Sequence, residues 1–152
     1  MMNRTLALVG FVVLVLGGGT LIGYLNLPGA WYAGLQKPFF NPPDWVFGPV
    51  WSVLYMLVAI AGWRIFCRAP YGTTMRVWWV QLVLNFLWSP TFFGLQLPGL
   101  GLVVIIALLV AIIGFVALAR RIDRLAAWLF VPYALWVAFA TLLNFSIWWL
   151  NR

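Results

Sequence analysis

The nine basic and two acidic side chains of this chain stand at or near the edges of long apolar runs, and residues 77–119 and 125–151 carry no charge at all. A water-soluble domain has about a quarter of its residues charged. Here 7% are charged and 66% hydrophobic, too little polar surface to cover a water-facing globule. Lipid accepts an apolar exterior, provided that every backbone polar group is satisfied within the chain. The apolar runs approach the roughly 20 residues that a helix needs to cross a bilayer. The expected fold is therefore all-α: an integral membrane bundle of five transmembrane helices forming a single domain over residues 1–152.

The first span is Leu6 to Leu25. Arg4 before it could mark a signal peptide. The run is long for such a segment, however, and no clean Ala-x-Ala site closes it, so it reads as a retained helix. Gly19 and Gly23 have the spacing that lets another helix approach closely. Asn26 to Pro43 is a loop, because Pro28, Gly29, Gly34, Pro38, Pro42 and Pro43 exclude a long helix. Its aromatics, Trp31, Tyr32, Phe39 and Phe40, suit an interfacial cap on the bundle. The second span runs from Asp44, placed to cap its N-terminus, to Phe66. The third runs from Arg76 to Leu95, with a kink at Pro90. Gln96 to Pro98 is a tight turn. The fourth, Gly99 to Ala119, is almost purely aliphatic and reads as a packing element and the most lipid-exposed helix. The fifth runs from Leu125 to Leu150, with Pro132 in its first half.

Several chemistries are excluded. Cys67 is the one cysteine and histidine is absent, which rules out an intrachain disulfide, a His/Cys zinc site and a Ser-His-Asp triad. Asp44 and Asp123 lie in different loops, which argues against a carboxylate dyad. The net charge of +7 does not point to nucleic acid, because the basic residues form no stripe. They read as topology signals. Arg4, Arg64, Arg68, Arg76, Arg120, Arg121 and Arg124 share one side, against Lys37 and Arg152 on the other. This places the N-terminus in the cytoplasm and the C-terminus outside.

Function in a membrane protein is marked by residues that do not belong in lipid. Gln81, Asn85, Trp88 and Phe92 fall on one face of the third span, since residues three or four apart overlie each other on a helix. Trp51 and Tyr55 share a face of the second. Trp136, Ala140 and Leu143 share one on the fifth, with Asn144 beside it. The amides Gln81, Asn85 and Asn144 should point into the bundle, either as glue between helices or as the rim of a pocket. Interface belts account for Trp78, Trp79, Trp148 and Trp149, but not for Trp51, Trp88 and Trp136, which fall inside spans. A pocket with those indoles as walls, and no charge among them, suits a flat, largely apolar ligand. Lys37 in the capping loop is a candidate for holding a ligand carboxylate.

At these residues the chain resembles the translocator protein family, TspO/MBR, also called tryptophan-rich sensory proteins or peripheral-type benzodiazepine receptors. The matching segments begin with Trp31-Tyr32, Lys37-Pro38-Phe39-Phe40-Asn41-Pro42-Pro43, Trp45 and Trp51. Gln81 through Pro90 follows, with its Asn85-x-x-Trp88-x-Pro90 pattern, closed by Phe92-Phe93-Gly94. Val131-Pro132-Tyr133, Trp136, Ala140-Thr141 and Asn144 come last. The resemblance implies a five-helix bundle, usually a homodimer, in a bacterial cell membrane. It implies a pocket covered by the first loop that binds porphyrins such as protoporphyrin IX and haem, with no other cofactor required. Carried over by motif, the ligand-binding residues are Tyr32, Trp51, Tyr55, Asn85, Trp88, Phe92, Trp136 and Ala140.

The resemblance points first to a tetrapyrrole-binding sensory and regulatory protein. Two alternatives stand beside it. One is an enzyme that degrades porphyrin with light and oxygen, in which Trp51 and Trp136 would be the catalytic residues. The other is a carrier of porphyrin or other lipophiles, which the lack of charge within the spans disfavours. Animal relatives carry a sterol motif late in the fifth span. Here Phe145 replaces its tyrosine and no Lys or Arg follows within Ser146–Asn151, which argues against specific sterol binding.

Overall fold

The computed structural model describes residues 3–152, and among these every regular element is helical. Helix α1, Arg4–Leu25, starts behind Asn3, whose side chain accepts the Thr5 N–H at 3.0 Å. It contains a π-helical turn at Val13–Gly17, which ends on the first residue of the run Gly17-Gly18-Gly19. The proline-rich loop that follows holds a single short helix, α2, Ala30–Gly34. Helix α3 is Asp44–Phe66. Asp44 is not its cap, as the sequence suggests. Pro43 holds that position, and Asp44 is the first helical residue with no capping bond. A proline fits a helix start because it has no N–H to leave unsatisfied.

Helix α4, Thr73–Ser89, passes directly into a π-helical turn at Pro90–Gly94. Pro90 cannot donate to the preceding turn. The ladder widens there, and Leu95 N–H donates to the Pro90 carbonyl at 2.8 Å. The expected kink thus takes the form of a π turn. Gln96 closes the connection at a left-handed φ of 58°. Helix α5 is Pro98–Ala119. The last rod is split into α6, Arg124–Leu129, and α7, Val131–Leu150. The break at Phe130 lies two residues before Pro132, which lacks the N–H that would bond the Trp128 carbonyl.

The rods alternate in direction, as side-chain contacts at their ends show. Trp63 Nε1 donates to the Arg4 carbonyl at 2.9 Å, and Arg64 and Arg68 both reach Asp123 at 2.7 Å, all at one end. At the other end Asn151 exchanges two hydrogen bonds of 2.9 Å with the backbone of Gln36. Four helices, Arg4–Leu25, Asp44–Phe66, Pro98–Ala119 and Arg124–Leu150, are long and apolar enough to cross a membrane. The α4 rod, Thr73–Gly94, is not among them, because Arg76, Gln81 and Asn85 lower its hydropathy.

Two glycines set helix spacings. A Cβ on Gly19 would overlap the Tyr55 ring, and a Cβ on Gly62 would overlap the Trp78 indole. Gly19 therefore lets α1 sit against α3, while Gly23 has open space around it. Trp78 is completely buried and its Nε1 donates to the Val58 carbonyl at 3.1 Å. It is a core residue rather than the interfacial anchor expected from its position. Helix α5 also differs from expectation. It packs between α4 and α7 along a buried row of Ile105, Leu108, Ile112, Phe115 and Ala119. Helix α1 is the more exposed one, burying only Ala7, Phe11, Val15 and Gly19 along Arg4–Leu25, whereas α5 also buries Gly101 besides that row. Hydropathy alone cannot separate these cases, because a helix apolar on all sides fits lipid and a protein interior equally well.

Candidate functional site: an aromatic cavity beneath the first loop

Two apolar clusters fill the bundle. The larger holds Trp78, Phe115, Phe130 and Tyr133. The smaller, under the first loop, holds Tyr32, Phe92, Leu143 and Ile147, with Trp31, Phe40 and Phe47 packed against it. A cavity of about 420 Å³ lies between α1, α3, α4 and α7, and the first loop covers it. That volume falls in the range of small-molecule sites.

Helical spacing builds the walls. Helix α3 contributes the row Phe47, Trp51 and Tyr55 and beside it the row Asp44, Gly48 and Ser52, each stepping by four. Helix α4 presents Asn85, Trp88 and Ser89, and the π turn that follows presents Phe92 and Phe93. Helix α7 presents Trp136, Ala140, Leu143, Asn144 and Ile147. All eight residues carried over from the sequence motifs, Tyr32, Trp51, Tyr55, Asn85, Trp88, Phe92, Trp136 and Ala140, line this one cavity. Helix α5 supplies none of the wall.

The rings are held by one another and by amides. Trp51 lies 5.2 Å from Tyr55 between centroids, and Trp88 stacks on Phe92 at 5.3 Å. Trp136 meets Phe47 edge-on at 5.9 Å. The Trp88 Nε1 donates to Asn144 Oδ1 at 3.0 Å, and the Asn144 amide in turn donates to the Pro98 carbonyl at 2.8 Å. Tyr55 OH donates to Asn85 Oδ1 at 3.2 Å, Asn85 Nδ2 donates to Tyr133 OH at 2.8 Å, and Tyr133 OH donates to Gln81 Oε1 at 2.9 Å. This chain ties α3, α4 and α7 together beneath the cavity floor. It also separates the roles of the three amides. Gln81 is glue only, fully buried and away from the wall, whereas Asn85 and Asn144 both bond across helices and face the cavity. Bonds of this kind fix side chains, since a buried amide left unpaired is costly; Gln81 is held through Oε1 alone, and its Nε2 is buried without a partner. The indole N–H of Trp136 is buried and has no protein acceptor.

The loop seals the outer end with rings. Tyr32 meets Phe93 edge-on at 5.3 Å, and Trp31 meets Phe92 at 5.9 Å. Tyr32 OH donates to Asn41 Oδ1 at 3.4 Å. Burial raises the Tyr32 phenol pKa, the nearby Asp44 carboxylate adds to the rise, and the Asn41 bond opposes it. The phenol therefore stays protonated as a donor. Phe39, by contrast, is fully exposed. Lys37, expected at the rim, is not part of the wall. Its Nζ sits 4.5 Å above the Tyr32 ring and donates to the Ala33 and Leu35 carbonyls. The wall is not free of charge either, because Asp44 lines it.

Sequence reasoning missed Phe47, Asp44, Ile147 and the floor residue Tyr133. The signal was present: Phe47 stands one turn before Trp51, Asp44 three residues before Phe47, and Ile147 four after Leu143. Extending each face by a turn finds them. Tyr133, three residues before Trp136 and seven before Ala140, is found by the same extension, but its bond to Asn85 on α4 depends on packing that spacing within α7 does not reveal.

The profile of the TspO/MBR family matches residues 11–150. The chain is similar to Protein CrtK of Rhodobacter capsulatus, 39% identical over 99% of this chain and 95% of that protein. It is similar to Tryptophan-rich protein TspO of Archaeoglobus fulgidus, 47% identical over 80% of each chain. It is also similar to the human Translocator protein, 37% identical over 78% of this chain and 73% of that protein. Matched along nearly its whole length by the family profile, and by relatives from a bacterium, an archaeon and a mammal, this integral membrane chain belongs to the TspO/MBR family.

Proposed function

We propose that the cavity binds a tetrapyrrole of the protoporphyrin IX or haem class, and that the chain acts as a membrane sensory and regulatory protein for it. One observation carries this reading: Trp51, Trp88 and Trp136 converge on a single cavity whose other walls are mostly apolar. Planar macrocycles gain from offset stacking on indole rings, and a few fixed polar groups orient them. The names of relatives such as Tryptophan-rich sensory protein of Cereibacter sphaeroides support the sensory part. In this reading all five rods cross the membrane, including Thr73–Gly94, whose buried Gln81 and Asn85 face protein rather than lipid. The arginine-rich end is cytoplasmic, in a bacterial cell membrane. Assembly as a homodimer within the bilayer belongs to the same proposal.

A second reading is light-driven breakdown of the bound porphyrin, with dioxygen as oxidant. It is favoured by the placement of Trp51 and Trp136 on the same cavity and by the unpartnered Trp136 indole N–H. One experiment addresses both. Protoporphyrin IX is titrated against tryptophan fluorescence, in the dark and under light, with the Soret band followed. Saturable quenching with a stable Soret band supports binding and sensing. Loss of the Soret band in light, with a new product that requires oxygen, supports breakdown. Absence of saturable quenching refutes the tetrapyrrole reading.

A further inference from the structure

Among the described residues, the cavity wall carries one formal charge, the carboxylate of Asp44. Asp44 opens α3 beneath the loop, is solvent-exposed, and is not part of either ion pair among the described residues. Two cations stand at that end, and neither is a wall residue or pairs with Asp44. Arg152 stacks on Trp149, 3.1 Å from the ring centroid, while Lys37 lies behind the wall, over the outer side of the Tyr32 ring, held by two loop carbonyls.

We infer that Asp44 sets the charge preference of the cavity, disfavouring ligands that bring a carboxylate to the loop end and favouring those whose edge there is neutral or cationic. The inference rests on the tetrapyrrole reading and deepens it. The macrocycle either lacks charged substituents or seats them away from α3. Like charges interact over about 10 Å at ordinary ionic strength, and further where low-dielectric walls exclude water. The N-terminal dipole of α3 is worth about half a positive charge, so it offsets the carboxylate only in part.

The test compares protoporphyrin IX with its dimethyl ester, which keeps the macrocycle and removes both charges. Each is titrated in the dark against the full chain in one detergent, so that micelle partitioning cancels between variants. The ratio of Kd for the acid to Kd for the ester should fall about three- to tenfold in Asp44→Asn, and further in Asp44→Lys. High salt should lower the ratio in the wild type and leave Asp44→Asn unchanged. The ester affinity serves as the check that each variant keeps its cavity, and Asp44→Asn carries the test alone if Asp44→Lys fails it. A ratio identical in wild type and Asp44→Asn overturns the inference, as does a Lys37→Gln variant that selectively loses the acid. If neither probe binds the wild type, the tetrapyrrole reading itself fails, and this is distinguishable from an unchanged ratio.

Discussion

Trp51 and Trp136 reach one cavity from different helices, so their contributions to a ligand can be separated and their coupling measured. Replacing either by phenylalanine keeps an aromatic ring and limits the damage to packing. Each single change is expected to weaken protoporphyrin IX binding about three- to tenfold, roughly the value of one good aromatic contact. The double variant should depart from additivity by about 0.5 kcal/mol or more if both rings touch the same ligand. Wild-type affinity in both single variants would sink the shared-site assignment. Asn85 is a different kind of residue, because it bridges Tyr55 and Tyr133. Asn85→Ala leaves the Tyr133 hydroxyl without its donor and Tyr55 without its acceptor. A destabilisation of about 1–3 kcal/mol is expected, measured as a lowered Tm in detergent. These residues were legible because an amide or an indole inside an apolar run has few reasons to be there. Trp78 was misread for the complementary reason. Its position near a span end suits a belt, and only Gly62 on the facing helix makes room for it in the core.

At the scale of elements, Asp123 joins parts of the chain that sequence keeps apart. Its Oδ1 accepts the Leu125 and Ala126 N–H groups at the start of α6, while Arg64 in the last turn of α3 and Arg68 just past its end hold the same carboxylate. Burial alone would raise the Asp123 pKa; the Arg64 hydrogen bond, the Ala126 N–H and the charges of both arginines outweigh it and hold the pKa below the ordinary carboxylate value. A depressed folded pKa gives stability that is present above the unfolded value of about 3.9 and drains away as pH falls through the folded one. Asp123→Asn is therefore expected to lower Tm at neutral pH, by about 1–2 kcal/mol of stability, and to flatten the acid limb below about pH 4. A parallel acid limb in variant and wild type would refute this. The first loop makes a second element-scale case. Its rings rest on Phe92 and Phe93, so removing them should loosen the cover rather than the floor. Trp31→Ala with Tyr32→Ala is expected to raise the ligand off-rate about tenfold with a smaller change in on-rate, read by stopped-flow fluorescence. An unchanged off-rate would remove the lid function. Residue chemistry announced this loop through its prolines. It did not announce that Lys37 would be spent on the loop's own carbonyls, because hydrogen bonds to backbone depend on a shape that composition does not contain.

For the whole molecule, an odd number of alternating rods puts Arg4 and Arg152 at opposite ends, and the arginine-rich end should face the cytoplasm. A reporter that works only in the cytoplasm should be silent when fused behind Arg152; strong activity there would reverse the orientation. The five rods were readable from charge placement and apolar length, the α4 rod as Arg76–Leu95 against Thr73–Gly94, but its polar lining dilutes its hydropathy and leaves four clear candidate spans. The order of packing was not readable, since α5 and α1 are both apolar all round and only the contacts show α5 to be the better buried. The reporter experiment also bears on the reciprocal bonds between Asn151 and Gln36. These bonds fasten the middle of the loop, just past α2, to the residue that ends α7, so the cover cannot swing without either breaking two hydrogen bonds or dragging the end of α7 with it. A bulky tag attached there acts as a load on the cover, and affinities measured on tagged and untagged protein should differ in their kinetics even when no residue of the cavity has been touched.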